Sequence, residues 1–261
     1  MALIDINGVS LEVEPISSGG LPGRAPLVFL HEGLGSVAQW TQRGRNWPEA
    51  VCQACQREGV VFSRRGYGRS SSIPDVRGAH RLPPDYMHQE AWSVLPALLQ
   101  TLGLHQPVLL GHSDGGSIAL LHASQHPVSA CVVMAPHVMV ESISIQAITA
   151  ARDAYLNADL RERLSRYHDD VDSAFWQWND VWLSPAFRTF DIRQDCRRIS
   201  APVLAIQGCE DPYGTLQQID DIRPDHGRVE RLVLDHCGHA PHRDQSQACI
   251  ERIASFLAEC P

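Results

Sequence analysis

The run Val108-Leu109-Leu110-Gly111-His112-Ser113-Asp114-Gly115-Gly116-Ser117 restricts this chain more than any other stretch. A short apolar segment ends on a glycine, a serine follows two residues later, and two more glycines lead into a helical pattern from Ile118 to Ser124. The spacing G-x-S-x-G between a strand and a helix is that of a nucleophile elbow, a turn that holds a serine hydroxyl out in strained backbone. So sharp a turn needs small residues two before and two after the serine. Gly111 and Gly115 meet that need, and Gly116 lets the helix pack close to the sheet. The backbone N–H of Asp114, at the helix N-terminus, then points toward an oxyanion formed at Ser113.

The rest of the chain supplies a sheet for this turn. Residues 2–6 and 9–15 alternate in polarity around Asn7-Gly8, a two-residue hairpin signal. Buried strands are expected at 27–30, 60–63, 107–110, 130–135, 202–206 and 229–234. Helical patterns are expected at 48–57, 86–102, 115–125, 215–222 and 244–259, with Pro96 marking a kink or break in the second. Strands alternating with helices make parallel βαβ units. Between 137 and 200 the strand rhythm stops, and the segment reads as helices carrying Phe175, Trp176, Trp178, Trp182, Phe187 and Phe190. The expected organisation is one α/β core, 1–136 and 201–261, with a helical insertion at 137–200. A chain of 261 residues has room for both.

Composition excludes several roles. A net charge of −8 argues against nucleic acid or an anionic membrane surface as partner, which leaves a small-molecule substrate. There is no apolar run of about 18 residues. The N-terminal segment has neither the basic stretch nor the apolar core of a signal peptide, so a cytoplasmic location is expected. Eight cysteines are scattered; Cys52 and Cys55 form C-x-x-C without a second ligand pair at zinc spacing, which reads as two reduced thiols one helical turn apart.

A serine needs a base within hydrogen-bond reach, and the base needs a third group to hold its tautomer. In parallel α/β sheets such groups sit in loops beyond the carboxyl ends of the strands. After the strand ending at Ile206, Glu210 and Asp211 compete for the third role, and Asp211 is preferred because Pro212 fixes the turn beside it. After the strand ending at Leu234 the histidines are His236, His239 and His242. His239, mid-loop after Gly238, is preferred as the base, with His236 and His242 read as loop or surface residues. A second oxyanion donor is expected in the loop after Leu30, from Gly33 or Leu34.

These residues together resemble the α/β-hydrolase superfamily over nearly the whole chain. His31-Glu32-Gly33-Leu34-Gly35 is similar to the oxyanion loop of proline iminopeptidases, H-G-G-P-G. Residues 63–70 are similar to the turn D-x-R-G-x-G-x-S, with Ser63 in place of the aspartate. Gly208-Cys209-Glu210-Asp211 looks like G-x-x-D, Gly238-His239-Ala240-Pro241 looks like G-H-x-P, and the elbow is closest to that of valacyclovirase-like hydrolases. The resemblance implies a mostly parallel eight-stranded sheet flanked by helices, with a cap inserted after the sixth strand. It also implies a serine hydrolase acting through an acyl-enzyme without metal or organic cofactor, on a small-molecule carboxylic ester. Alternatives on the same fold are an aminopeptidase or amino-acid-ester hydrolase, a cofactor-free C–C bond hydrolase, or a non-enzymatic ligand receptor. Ser113 disfavours the superfamily's aspartate-nucleophile reactions. Glu32 departs from the oxyanion loop's glycine. It is read either as paired with Arg or backbone, or as forming with Asp114 an anionic rim for amine-bearing substrates. His137, Trp178 and Trp182 are expected to line the acyl pocket, with Tyr213 beside the acid loop.

Overall fold

The computed structural model describes residues 2–42 and 44–260, so the outermost residues of the expected core, Met1 and Pro261, lie outside the described residues. Asn7 and Gly8 both take positive φ, 56° and 83°, which closes the tight hairpin between β1 (Ala2–Ile6) and β2 (Val9–Ile16). The sheet continues through β3 (Leu27–Leu30), β4 (Gly59–Ser63), β5 (Val108–His112), β6 (Ala130–Met134), β7 (Val203–Gly208) and β8 (Val229–Leu234). Its spatial order is β1-β2-β4-β3-β5-β6-β7-β8. β2 runs antiparallel to β1 and β4, and every other pairing is parallel. The order reverses at β3 and β5, the kind of crevice where open α/β sheets place their ligands.

Strand alternation divides the core into two layers. Leu109, Cys131, Val133, Val203 and Ala205 face one side, while Leu110, Val132, Leu204 and Ile206 face the other. Both faces are covered by helices, so the central strands are apolar throughout. On one side lie α1 (Trp47–Cys55) and the last helix, Ser246–Ala258. α1 starts where Asn46 Oδ1 accepts from Glu49 N–H at 3.1 Å, with Pro48 in the first turn, and stops at Gln56 in the left-handed region. On the other side lie α2, a run over 86–101, and α3 (Asp114–Ala123).

Pro96 does not break α2. A π turn over Glu90–Val94 precedes it, and the helix resumes at Leu95–Thr101. Leu95 N–H donates to Glu90 O, five residues back, and Ala91 O, which would face the missing proline N–H in this wider turn, pairs with His122 Nδ1 at 2.9 Å. Two other expectations need correction. The helix at 215–222 is only the single turn Gln217–Asp220, and the last helix is preceded by a separate turn, Pro241–Asp244, interrupted at Gln245.

The turn after β4 keeps its carboxylate from another source. Ser63 Oγ donates to Glu12 Oε2 at 2.7 Å, and the same oxygen accepts from Arg69 N–H at 3.0 Å. Glu12 on β2 thus occupies the space left by the serine. A Cβ on Gly68 would lie 2.2 Å from that oxygen, and Gly68 has φ of 57°, so glycine is required there on two counts.

Between β6 and β7 the chain is helical: α4 (Ser142–Asn157), α5 (Leu160–Leu164) and α6 (Val171–Trp182), with one isolated bridge from Met139 to Asp191. α6 opens on Asp170, whose Oδ1 accepts from Ser173 N–H at 2.9 Å. It buries Phe175, Trp178 and Trp182 on the side of the core, while Trp176 stacks under the Arg77 guanidinium at 3.7 Å. No helix among the described residues is long and apolar enough to cross a membrane. All eight cysteines are free, and only Cys209 is exposed.

Candidate active site

Register brings the loops of interest together. Leu30 pairs with Gly111, Gly111 with Val133, and Val133 with Ala205, so the chains leaving β3, β5, β6 and β7 emerge at one edge. Ser113 is the first residue past β5 and has φ 52° and ψ −119°, a conformation that costs about 1–3 kcal/mol for a non-glycine residue. Its N–H donates to Met134 O at 2.9 Å, which holds the turn down. A Cβ on Gly111 would lie 2.2 Å from Gly115 O, and one on Gly115 would lie 2.2 Å from Leu30 O.

The three residues singled out from the strand ends lie in one line. His239 Nε2 is 2.9 Å from Ser113 Oγ, and His239 Nδ1 is 2.9 and 2.8 Å from the two carboxylate oxygens of Asp211. Asp211 also accepts from Gln207 Nε2 at 2.8 Å and from Tyr213 N–H at 2.7 Å. Burial alone would push its carboxyl up, but the hydrogen bond and charge of His239 and the Tyr213 N–H hold it below the usual carboxylate range. With the carboxylate accepting at Nδ1, the tautomer that leaves Nε2 free to take a proton from Ser113 is favoured. Glu210 points elsewhere, pairing at 3.1 Å with His236 on the surface. His242 corrects the sequence reading. It is buried against the stacked rings of Trp40 and Trp47, with centroids 5.1 and 5.5 Å away.

Gly33 and Leu34 are the central residues of a turn closed by Gly35 N–H to Glu32 O at 3.1 Å, so their own N–H groups are not used by the turn. Asp114 is the first residue of α3, where an N–H has no intrahelical acceptor. A Cβ on Gly33 would lie 2.2 Å from Trp178 Nε1, so glycine lets the Trp178 ring rest on this loop. Trp182 lies edge-on to His137 at 4.9 Å, and His137 and Tyr213 stand 5.8 and 4.6 Å from the His239 ring. These rings leave Ser113 only 6% exposed. A neighbouring cavity of about 330 Å³, lined in part by Arg64, Tyr67, Tyr86 and Glu90, takes in none of Ser113, Asp211 and His239.

The anionic rim expected of Glu32 and Asp114 is not an unpaired one. Asp114 Oδ2 accepts from Tyr86 O–H at 2.6 Å and lies 4.0 Å from the buried Arg64 guanidinium. Burial pushes its carboxyl up against those two groups. Tyr86 O–H in turn accepts from Trp182 Nε1–H at 3.1 Å. Glu32 lies between Arg243 and His112. Arg64, Tyr86, His112 and Arg243 are the site residues that sequence reasoning missed. Only Arg64 and His112 stood inside motifs, where they read as variable positions.

Several histidines around the site are buried as neutral rings, which sets an acid limit on stability. Burial and then the His239 charge push His137 down to about 3, and burial pushes His122 down to about 4. His31, by burial and Arg64, and His242, by burial and His112, are also held well below the ordinary value. The unfolded chain titrates these rings near pH 6.5. Below that pH the unfolded state therefore binds more protons, and stability falls as pH drops from about 6.5 toward 4. Unfolding at pH 5 is expected to take up at least about two protons, read from the slope of stability against pH. A melting temperature that stays flat from pH 7 to 5 would contradict this.

The model of the alpha/beta hydrolase family matches residues 27–252, from β3 into the last helix. The chain belongs to the alpha/beta hydrolase family. This hydrolase is 27% identical over 276 residues to the mouse sn-1-specific diacylglycerol lipase ABHD11, covering 94% of this chain and 85% of the lipase. It is 25% identical over 258 residues to a putative carbamate hydrolase, RutD, of Pseudomonas savastanoi pv. phaseolicola, covering 89% and 94% of the two chains. Among solved structures, the enol-lactonase of Burkholderia xenovorans LB400 superposes with a TM-score of 0.73 at 19% identity, over 99% of this hydrolase and 100% of that chain. The named relatives are hydrolases, and this chain is an alpha/beta hydrolase enzyme.

Proposed function

We propose that this enzyme is a serine hydrolase that cleaves a small-molecule carboxylic ester. The observation that carries the reading is the unbroken line from Ser113 Oγ to His239 Nε2 and from His239 Nδ1 to Asp211. His239 takes the proton of Ser113 as Oγ attacks the ester carbonyl carbon. The N–H groups of Asp114 and of Gly33 or Leu34 hold the oxyanion, while Asp211 stabilises the imidazolium. The proton then passes from His239 to the leaving alkoxide, which departs as alcohol and leaves an acyl group on Ser113. A water molecule, deprotonated by His239, attacks the acyl carbon. The carboxylic acid leaves and Ser113 regains its proton. His137, Trp178, Trp182 and Tyr213 wall the space over Ser113, and the helices between β6 and β7 act as its cap.

A lipase and an esterase stand among the similar proteins beside carbamate hydrolases and proline iminopeptidases, so the choice of ester over amide rests on the site and not on those names. Glu32 is paired with Arg243, and Asp114 is buried with its Oδ2 held by Tyr86 O–H near Arg64, so most of the rim's charge is engaged within the protein, only the buried Asp114 Oδ1 being without a hydrogen-bond partner among the described residues. p-Nitrophenyl butyrate is therefore expected to exceed leucine p-nitrophenyl ester in kcat/KM by at least about tenfold, or 1.4 kcal/mol. The reverse preference would favour an amino-acid-ester hydrolase.

A further inference from the structure

Glu32 stands where the resembling oxyanion loops carry glycine, and its surroundings assign it a task. Its Oε2 lies 3.4 Å from His112 Nδ1, an ion-pair rather than a hydrogen-bond distance, and its Oε1 lies 3.2 Å from Arg243 Nη2. The other His112 nitrogen, Nε2, donates to the backbone carbonyl of His239 at 2.6 Å. That carbonyl only accepts, so the bond fixes the His112 ring with Nε2–H toward His239 and turns Nδ1 toward the Glu32 carboxylate. Arg243 sits four residues after His239 on the same loop and also donates to His242 Nε2 at 3.2 Å. Three loops thus meet at one carboxylate: the oxyanion loop through Glu32 itself, the elbow through His112, which directly precedes Ser113, and the histidine loop through His239 and Arg243.

We propose that Glu32 is a positioning residue which, through His112 and Arg243, fixes the backbone of His239 so that its ring stays between Ser113 and Asp211. This rests on the reading of those three residues as the catalytic group. Asp211 holds the ring end of His239, whose side chain is 17% exposed, and its loop flank Gly238 donates its N–H to Asp244 Oδ2 at 2.9 Å, six residues on. The buried His112 supplies a fixed point for the backbone end. Burial, which would raise the Glu32 carboxyl, is outweighed by His112 and Arg243, so the carboxylate keeps its charge. A misplacement of about 1 Å in a catalytic group can cost about 100-fold in rate, so a clamp acting at a distance from the chemistry has a measurable effect.

The test compares Ser113→Ala, Glu32→Gln, His112→Gln and the double variant Glu32→Gln/His112→Gln in p-nitrophenyl butyrate hydrolysis. Melting temperature and the downfield proton resonance of the His239–Asp211 hydrogen bond are recorded for each. Glu32→Gln and His112→Gln are each expected to lower kcat by about tenfold with KM within about twofold, and the double variant to be no worse than the poorer single one. The downfield resonance should broaden or move in both single variants, a change that loss of overall stability would not produce in protein that is still folded. If Ser113→Ala is inactive while Glu32→Gln keeps its kcat and its resonance, the clamp is overturned and the catalytic reading stands. Additive losses in the double variant also overturn it. If Ser113→Ala keeps its activity, the catalytic reading itself fails. Should Glu32→Gln not fold, Glu32→Asp and Arg243→Gln decide: a kcat lowered by about threefold or more at unchanged KM supports the clamp, and wild-type kcat in both overturns it.

Discussion

Ser113→Ala is expected to lose ester turnover by at least about 10⁴-fold while keeping its melting temperature within a few degrees. Without Oγ there is no atom to hold the acyl group, so only oxyanion stabilisation and substrate binding remain. The backbone strain stays, because alanine at φ 52° is strained in the same way as serine. Ser113 is buried, but its hydroxyl has one partner, His239 Nε2, which Gln207-bound Asp211 continues to orient after the substitution. Activity and stability are therefore separable at this position. An assay on p-nitrophenyl butyrate beside a thermal melt reads both. Wild-type turnover in the variant would place the nucleophile elsewhere.

Gly115→Ala has the opposite signature, a loss of fold. The added Cβ would lie 2.2 Å from Leu30 O, 2.5 Å from Leu30 C and 2.7 Å from His31 O. All three are backbone atoms, where β3 passes into the oxyanion loop, and the flanking strand pairs Leu30 with Gly111. None of them can swing aside as a long side chain would, so either α3 or β3 must shift. A cost of at least about 4 kcal/mol is expected, equivalent to a fall of about 10 °C or more in melting temperature for a chain of this size. Gly116→Ala is the control: its Cβ would meet Pro136 Cβ at 3.1 Å, a contact that small adjustments relieve, and a much smaller fall is expected. Equal melting temperatures for the two variants would show that the elbow is looser than its geometry implies.

The frame of the molecule was legible because it depends on local pattern. The alternation around Asn7-Gly8, the apolar runs and the elbow glycines each report a constraint acting within a few residues. Ser113, Asp211 and His239 could be grouped from sequence because a parallel sheet delivers the residues after its strand ends to one edge. What stayed hidden depends on partners far along the chain. Glu32 and Arg243 are 211 positions apart, so a charge in a motif could not reveal the cation that engages it. Tyr86 reaches Asp114 from the first turn of a helix that carries no motif. His242 looked like a loop residue, yet Trp40 and Trp47 enclose it from a part of the chain with no visible link to the histidine loop. Glu12 replaces the missing carboxylate beside Ser63 from an adjacent strand, a substitution visible only once β2 and β4 are paired.

The most direct measurement is intact-mass spectrometry of the wild-type protein and of Ser113→Ala after exposure to an alkyl fluorophosphonate, followed by peptide mapping. A nucleophile activated by His239 predicts one phosphonyl adduct, on the peptide containing Ser113, and no adduct on the variant. An unmodified wild-type protein, or an adduct that persists in Ser113→Ala, would contradict the assignment of Ser113 as the nucleophile.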